Sequence, residues 1–288
     1  MALRAQTIQI FLPSGDPRGL RVAEITTRIV RVIEVPRSLV TEFLKMPEAA
    51  QVGIYFLVGD SQDGEIPLLY LGQSGNVGQR IIQHNQSKDF WNKALVVVSL
   101  TNSLTQTHAL FLEWFSIKEA QLAGRYALEN GNDGKRPYTP APLEADCHHI
   151  HETARMLLAT LGYPIFEPVA KPIGSVAASD LLYCKASGAN GRGMYTEEGF
   201  VVLKGSVGRK DNVPSIQGTS GERLRIRLQE SGVTKIEGNS IVFTKDHLFK
   251  SPSMAALALM GRTCNGWVDW KDENVRTLDE LKRKNVAQ

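Results

Sequence analysis

Two tyrosines sit in neighbouring apolar runs, Tyr55 in GIYFLVGD and Tyr70 in LLYLGQSGN. Arg80 and His84 follow, four residues apart, and Glu113 comes later inside LFLEWF. Two phenols, a guanidinium, an imidazole and a carboxylate are the groups needed to hydrolyse a phosphodiester around one divalent metal ion. Each also has a plainer use. A lone tyrosine is a common strand aromatic, and Arg80 with His84 could be a solvated helix face. A glutamate in an apolar run costs free energy unless it is paired or ligated, which favours a site. One exposed turn of helix would explain it too.

The elements that must position these groups can be read from the same stretch. VGIYFLVGD and PLLYLGQS flank a polar DSQDGE segment, a β-hairpin pattern. NVGQRIIQHNQSKDFW predicts a helix capped near Asn76, with Arg80 and His84 one turn apart on it. KALVVVSL reads as a buried strand. THALFLEWFSIKEAQLAGRYAL reads as a long helix that Gly131 in ENGN ends. Residues 49–138 therefore form one unit in the order β-β-α-β-α.

Residues 1–48 read as a β-rich leader that packs against one of two domains. TIQIFL is a strand, PSGDPRG a turn and LRVAEI a returning strand; ITTRIVRVIEV continues β-rich, and a short helix follows Pro36. Residues 139–175 read as a Pro-rich linker, YTPAPLEADC, and a bridging helix, HETARMLLATLGY, with Pro164, Pro168 and Pro172 marking a further break. Residues 176–288 suggest a second unit of short strands. It also has a GERLRIRLQESG helix, an SPSMAALALMG helix behind Ser251, and NGWVDWKDE and TLDELKRKN at its end. The expected class is α+β: a small mixed α/β domain (hairpin, helix, strand, helix) plus a second small α+β domain.

Composition sets the outer bounds. The 288 residues are 42% hydrophobic and 22% charged, which suits two modest globular domains. No apolar run approaches the roughly 20 residues of a membrane span, so no membrane partner is expected. The N-terminal apolar stretch alternates and is broken by Pro13 and Gly15, reading as a strand rather than a signal peptide. Cytoplasmic residence is the expectation. Cys147, Cys184 and Cys264 are odd in number and widely spaced, so free thiols are expected. Net charge is +3. Residues 176–288 hold 17 basic against 13 acidic side chains, and residues 49–138 hold 7 against 8. If the chain holds nucleic acid, its C-terminal part is the electrostatic handle; a well-mixed surface explains the same numbers.

GIY at 53–55 and YLG at 70–72, then Arg80, His84, Glu113 and Asn130 in that order, resemble the GIY-YIG endonuclease family over about residues 50–135. GFVVLKGS at 199–206, SPSMAALALMGR at 251–262 and NGWVDWK at 265–271 resemble an uncharacterised domain found C-terminal to bacterial GIY-YIG modules. The resemblance implies in-line hydrolysis of DNA, leaving 5′-phosphate and 3′-hydroxyl ends. Glu113 would hold a single Mg²⁺ or Mn²⁺ through its carboxylate, with water and phosphate oxygens completing the shell. Arg80 would pair with the phosphate. Tyr55 would activate or orient the attacking water, with Arg80 and the metal lowering its pKa from about 10. Tyr70 would bond phosphate or water, and His84 would relay a proton from Tyr55. Asn130 would support the phosphate or fix neighbouring side chains; Asn132 could take its place. Leu71 stands where the family has Ile. Gln73 stands where some relatives carry a basic residue, which removes one phosphate contact. The rival readings are a nucleic-acid-binding protein without catalysis and a nuclease acting on RNA or in phage defence.

Other motifs are weaker. Cys147, His148 and His151 in DCHHIH resemble a metal cluster, but no second ligand pair lies nearby, so a polar helix start is favoured. GANGRG at 188–193 lacks the Lys and Ser/Thr of a P-loop and reads as a flexible turn. Trp267 and Trp270, near Arg262 and Lys271, could stack on bases, although core packing is preferred.

Overall fold

The computed structural model describes residues 5–60, 66–131, 134–170, 180–186 and 188–284. The hairpin turn at 61–65, Asn132 and the break at Pro172 lie outside them. The chain is α+β and divides into two compact units between Pro168 and Val169. No helix among the described residues is long and apolar enough to cross a membrane.

The first unit runs β1 (Ile8–Phe11), β2 (Arg21–Ile25), β3 (Val30–Pro36), α1 (Val40–Phe43), β4 (Gly53–Gly59), β5 (Leu68–Ser74), α2 (Val77–Ser87), β6 (Lys93–Ser99), α3 (Gln106–Ala123), β7 (Ala127–Leu128) and α4 (Ala141–Thr160). Its seven strands form one sheet in the order β1-β2-β3-β6-β4-β5-β7. Only the β5–β7 pair is parallel. The leader is thus not a separate piece. β3 pairs along its whole length with β6, from Val30 opposite Ser99 to Pro36 opposite Lys93, so three leader strands belong to the sheet that holds the hairpin.

Period-two alternation divides the side chains of β4 between two cores. Ile54, Phe56 and Val58 join Phe111, Leu112 and Ile117 of α3 and Cys147 and Leu157 of α4. Tyr55 and Leu57 join Val40 and Phe43 of α1 and Val77 and Ile81 of α2. Full burial of each large apolar side chain contributes about 1.5–3 kcal/mol. The sheet therefore carries helices on both faces, and Tyr55 is committed to the α2 face.

Two helix ends differ from expectation. α3 stops at Ala123, because Gly124 takes the left-handed C-cap (φ 64°) that the sequence reading assigned to Gly131. α4 begins at Ala141, so APLEADC is helix and not linker. Pro140 is its N-cap residue and Pro142 sits in the first turn, where a missing N–H removes no helical hydrogen bond. DCHHIH consequently lies inside a helix rather than at its start, with Cys147 and His151 buried.

The second unit runs β8 (Leu181–Ala186), β9 (Ala189–Thr196), β10 (Gly199–Val202), β11 (Val207–Arg209), α5 (Ser220–Glu230), β12 (Thr234–Glu237), β13 (Ser240–Phe243), β14 (His247–Phe249), α6 (Pro252–Met260), α7 (Gly266–Asp269) and α8 (Leu278–Lys282). Its antiparallel sheet is ordered β12-β13-β11-β9-β10-β14, with β8 also paired to β9. GANGRG is strand beyond Gly188, not a flexible turn: a Cβ on Gly191 would overlap Leu259 of α6, so the glycine lets helix and sheet touch. Ser251 caps α6 by accepting a hydrogen bond from the Met254 N–H. Trp270 is fully buried 4.3 Å from the Phe200 ring and donates its indole N–H to the Pro252 carbonyl. It is core, out of reach of a base. Cys147, Cys184 and Cys264 are free thiols.

Candidate functional site

The hairpin register sets Tyr55 opposite Gly72. A Cβ at position 72 would overlap the Tyr55 hydroxyl and ring, so the glycine of YLG is the space the phenol occupies. A Cβ at Gly53 would overlap the Val97 carbonyl of β6. The two tripeptides are therefore a packing requirement of one side chain and one strand pair.

Helix α2 supplies the next groups. Asn76 accepts a hydrogen bond from the Gln79 N–H at 3.0 Å and fixes the helix start. Val77, Ile81 and His84 form its buried stripe. The stripe delivers the His84 imidazole to the sheet, with Nε2 2.8 Å from the Tyr55 hydroxyl and both residues buried. Arg80, one turn earlier and exposed, donates from Nε to the same hydroxyl oxygen at 3.4 Å. A guanidinium can only donate, so the phenol oxygen accepts and its own proton is directed at His84 Nε2.

The electrostatics agree with that polarity. Burial, reinforced by the charges of Arg80 and Lys88, pushes the His84 pKa down to about 4, leaving a neutral imidazole able to accept a proton. Burial pushes the Tyr55 phenol up, well above its ordinary value, and the opposing pull of Arg80 is smaller. Arg80 pulls this pKa down as expected, but the ring is 1% exposed, and desolvation outweighs one partly solvated cation. Tyr55 is a protonated donor in this site.

Tyr70 sits beside the pair, its ring 5.1 Å from His84 and 6.4 Å from Tyr55. Lys88 Nζ lies over the Tyr70 ring at 4.4 Å. Glu113 comes from α3, on the other face of the sheet, and meets these groups at the β5 edge. There its carboxylate accepts a hydrogen bond from the Gln73 backbone N–H. Burial raises the Glu113 pKa, and that hydrogen bond and the Arg80 charge oppose the rise. Glu113, Tyr70, Asn130, Trp114 and Lys135 line one cavity of about 470 Å³.

Asn130, expected to support the phosphate or to fix its neighbours, holds the neighbouring strand β5. Its Oδ1 accepts from the Leu71 N–H at 3.0 Å and its Nδ2 donates to the Leu71 carbonyl at 2.8 Å. Both ends of the amide are thereby used to extend the short β7 pairing along β5. Leu71 is buried in the core under α3. Gln73 turns its side-chain carbonyl to the Gln106 amide and offers the site only its backbone. Lys88 and Lys135 were missed in the sequence. Lys88 had a signal, since Arg80, His84 and Lys88 repeat every four residues; Lys135 follows a glycine turn and had none.

A hard cation fits Glu113 in one respect. The carboxylate is half-buried and faces a cavity, with no ion-pair partner among the described residues. Mg²⁺ keeps several waters and takes one or two carboxylates plus phosphate oxygens, so one such group is a sufficient protein donor. Among the described residues no three His, Cys, Asp or Glu side chains gather into a metal-holding group. In DCHHIH, His151 is packed between Phe115 (4.8 Å) and Phe166 (4.5 Å), and Cys147 faces the His108 carbonyl.

Residues 182–282 match the family model described as a domain of unknown function, DUF4357. The match runs from β8 to the end of α8. No curated protein and no solved structure matches the chain.

Proposed function

We propose that the first unit is a metal-dependent endonuclease that hydrolyses phosphodiester bonds of DNA, leaving 5′-phosphate and 3′-hydroxyl ends, and that the second unit positions the substrate. One observation carries the reading. A phenol, a neutral imidazole and an exposed guanidinium share hydrogen bonds at the β5 edge, and a half-buried carboxylate meets them there beside an open cavity.

Glu113 holds one Mg²⁺ or Mn²⁺, which supplies charge neutralisation at the phosphate. Arg80 pairs with a phosphate oxygen and stabilises the charge that builds in the transition state. The water attacks phosphorus in line with the leaving 3′ oxygen. As its O–P bond forms, the water gives a proton to the Tyr55 oxygen while Tyr55 gives its own to His84 Nε2. The leaving oxygen takes a proton from solvent. In this relay Tyr55 never carries a full negative charge, which suits a phenol whose burial disfavours ionisation. Tyr70 orients water or phosphate from the neighbouring strand position.

The test is incubation of the purified chain with single- and double-stranded DNA and RNA, with Mg²⁺, Mn²⁺ or chelator, followed by end-group analysis. The reading expects metal-dependent cutting of DNA with 5′-phosphate ends. Binding without cutting in any lane would replace it with a binding-only protein, and cutting of RNA alone would overturn the substrate.

A further inference from the structure

In the sheet of the second unit, Tyr183 pairs with Arg192 across β8 and β9 and with Lys271 on its other side. The second pairing is made by the Tyr183 N–H to the Lys271 carbonyl (2.7 Å) and the Lys271 N–H to the Tyr183 carbonyl (3.0 Å). Directly paired residues project from the same face of a sheet. Their strand neighbours project from the other: Leu182 and Cys184 are buried, and a Cβ on Gly191 would meet Leu259 and Trp270. The row Lys271, Tyr183, Arg192 therefore stands on the face turned away from α6. Lys185, two residues along β8, shares that face, with Nζ 4.9 Å from the Tyr183 ring centre. Strands lie about 4.8 Å apart, so Lys271 and Arg192 are roughly 10 Å apart with a phenol between them.

Arg192 Nη2 donates to the Lys204 carbonyl at 3.4 Å, and the Lys271 charge acts on the Glu280 carboxylate. None of Lys185, Arg192 and Lys271 has an ion pair among the described residues. The nearby carboxylates Asp269 and Asp272 are engaged by Arg262 (3.4 Å) and Arg276 (2.7 Å). Glu273 has no such cation among the described residues, and all three carboxylates line the cavity described next. Tyr183, Lys185 and Lys271 also line a cavity of about 530 Å³, which Val268 and Val275 share. An aromatic ring set among cations without ion pairs, on a face that also buries Met194 and Val201, matches the needs of a single strand, whose bases stack and whose phosphates track positive charge. Trp267 is covered more closely, by Arg283 at 3.5 Å.

We propose that this face binds single-stranded nucleic acid, Tyr183 stacking on a base and Lys185, Arg192 and Lys271 taking phosphates. The inference rests on the nuclease reading for its choice of ligand, and its test does not require cleavage. The full chain carrying Glu113→Ala is titrated in chelator against fluorescein-labelled oligothymidylate over a range of salt. Each lost phosphate contact on a single strand lowers the slope of log K against log salt by about 0.7. Replacing all three cations by Gln should flatten the slope by about 2, and Arg192→Gln alone by about 0.7. Tyr183→Ser should weaken binding about tenfold or more. A control replacing Lys210, Lys235 and Lys250 should leave the slope unchanged. An unchanged slope in the triple variant, an equal loss in the control, or tighter binding of duplex through the same residues would overturn the assignment. Binding as expected, with a wild-type chain that cuts nothing in Mg²⁺ or Mn²⁺, would retire the nuclease and keep this surface; cutting by the wild type without the slope change would do the reverse.

Discussion

Both sheets contain strand glycines whose missing side chain makes room for another residue, and the two regions fill that room differently. At Gly72 the occupant is the Tyr55 phenol, held by an imidazole and a guanidinium. At Gly191 the occupants are Leu259 of α6 and the Trp270 ring. The same sequence signal marks a polar centre in one unit and a helix–sheet seam in the other. What separates them is the partner's chemistry. A buried hydroxyl must find hydrogen-bond partners, and those partners bring ionisable groups with them; a leucine needs only contact. The row of Lys271, Tyr183 and Arg192 stands instead on the face of the second unit's sheet turned away from α6.

The largest expected effect comes from filling the two spaces. Gly72→Ala and Gly191→Ala should each destabilise the chain by about 1–3 kcal/mol in urea unfolding, because both overpack a closed contact. Only Gly72→Ala should lower single-turnover cleavage, by about a hundredfold, since it displaces a reacting group. Equal losses of cleavage would erase the distinction between the two regions.

Acid should act next. Burial lowers the pKa of His84, and those of His151 in the same unit and His247 in the other, each to about 4. The unfolded chain then binds more protons than the folded one between roughly pH 6.5 and 4, so stability falls as pH drops through that window. Each residue contributes up to roughly 3 kcal/mol of that fall. His84→Gln should remove its share, and the three imidazoles should stay neutral by nuclear magnetic resonance at pH 5.5. A His84 ring titrating near 6.5 would contradict the proton direction assigned to the Tyr55 pair.

The smallest effect is assigned to Asn130. Asn130→Ala leaves the Leu71 peptide without its edge partner and should cost about 1–2 kcal/mol of stability. Cleavage should fall less than in Gly72→Ala. A loss as large as that of Glu113→Ala would mean the amide touches substrate after all.

Local signals were readable where one residue or one short period decides the outcome. The hairpin runs, the Asn76 and Ser251 caps and the one-turn spacing of Arg80 and His84 are of this kind. Two αL-capable glycines, Gly124 and Gly131, follow α3, and nothing local says which the chain uses. Pro140 and Pro142 read as linker because proline at a helix start and in a loop look alike without the helix beyond. The joining of β3 to β6 spans some sixty residues and is set by matching apolar faces, which no window of sequence contains. The site residues could be listed from sequence, but their electrical state could not. The direction of the Tyr55 shift depends on its burial beneath α2, and the dual grip of Asn130 on Leu71 depends on a strand edge left open by the shortness of β7.

The central claim is that Glu113, from the far face of the sheet, completes a phosphodiester-cleaving centre with Tyr55, Arg80 and His84. The most direct measurement compares the wild-type chain with Glu113→Ala, following cleavage of end-labelled DNA in Mg²⁺ and binding of the same DNA in chelator. The account expects cutting by the wild type alone and equal binding by both. Mg²⁺-dependent cutting by Glu113→Ala at the wild-type rate would contradict it.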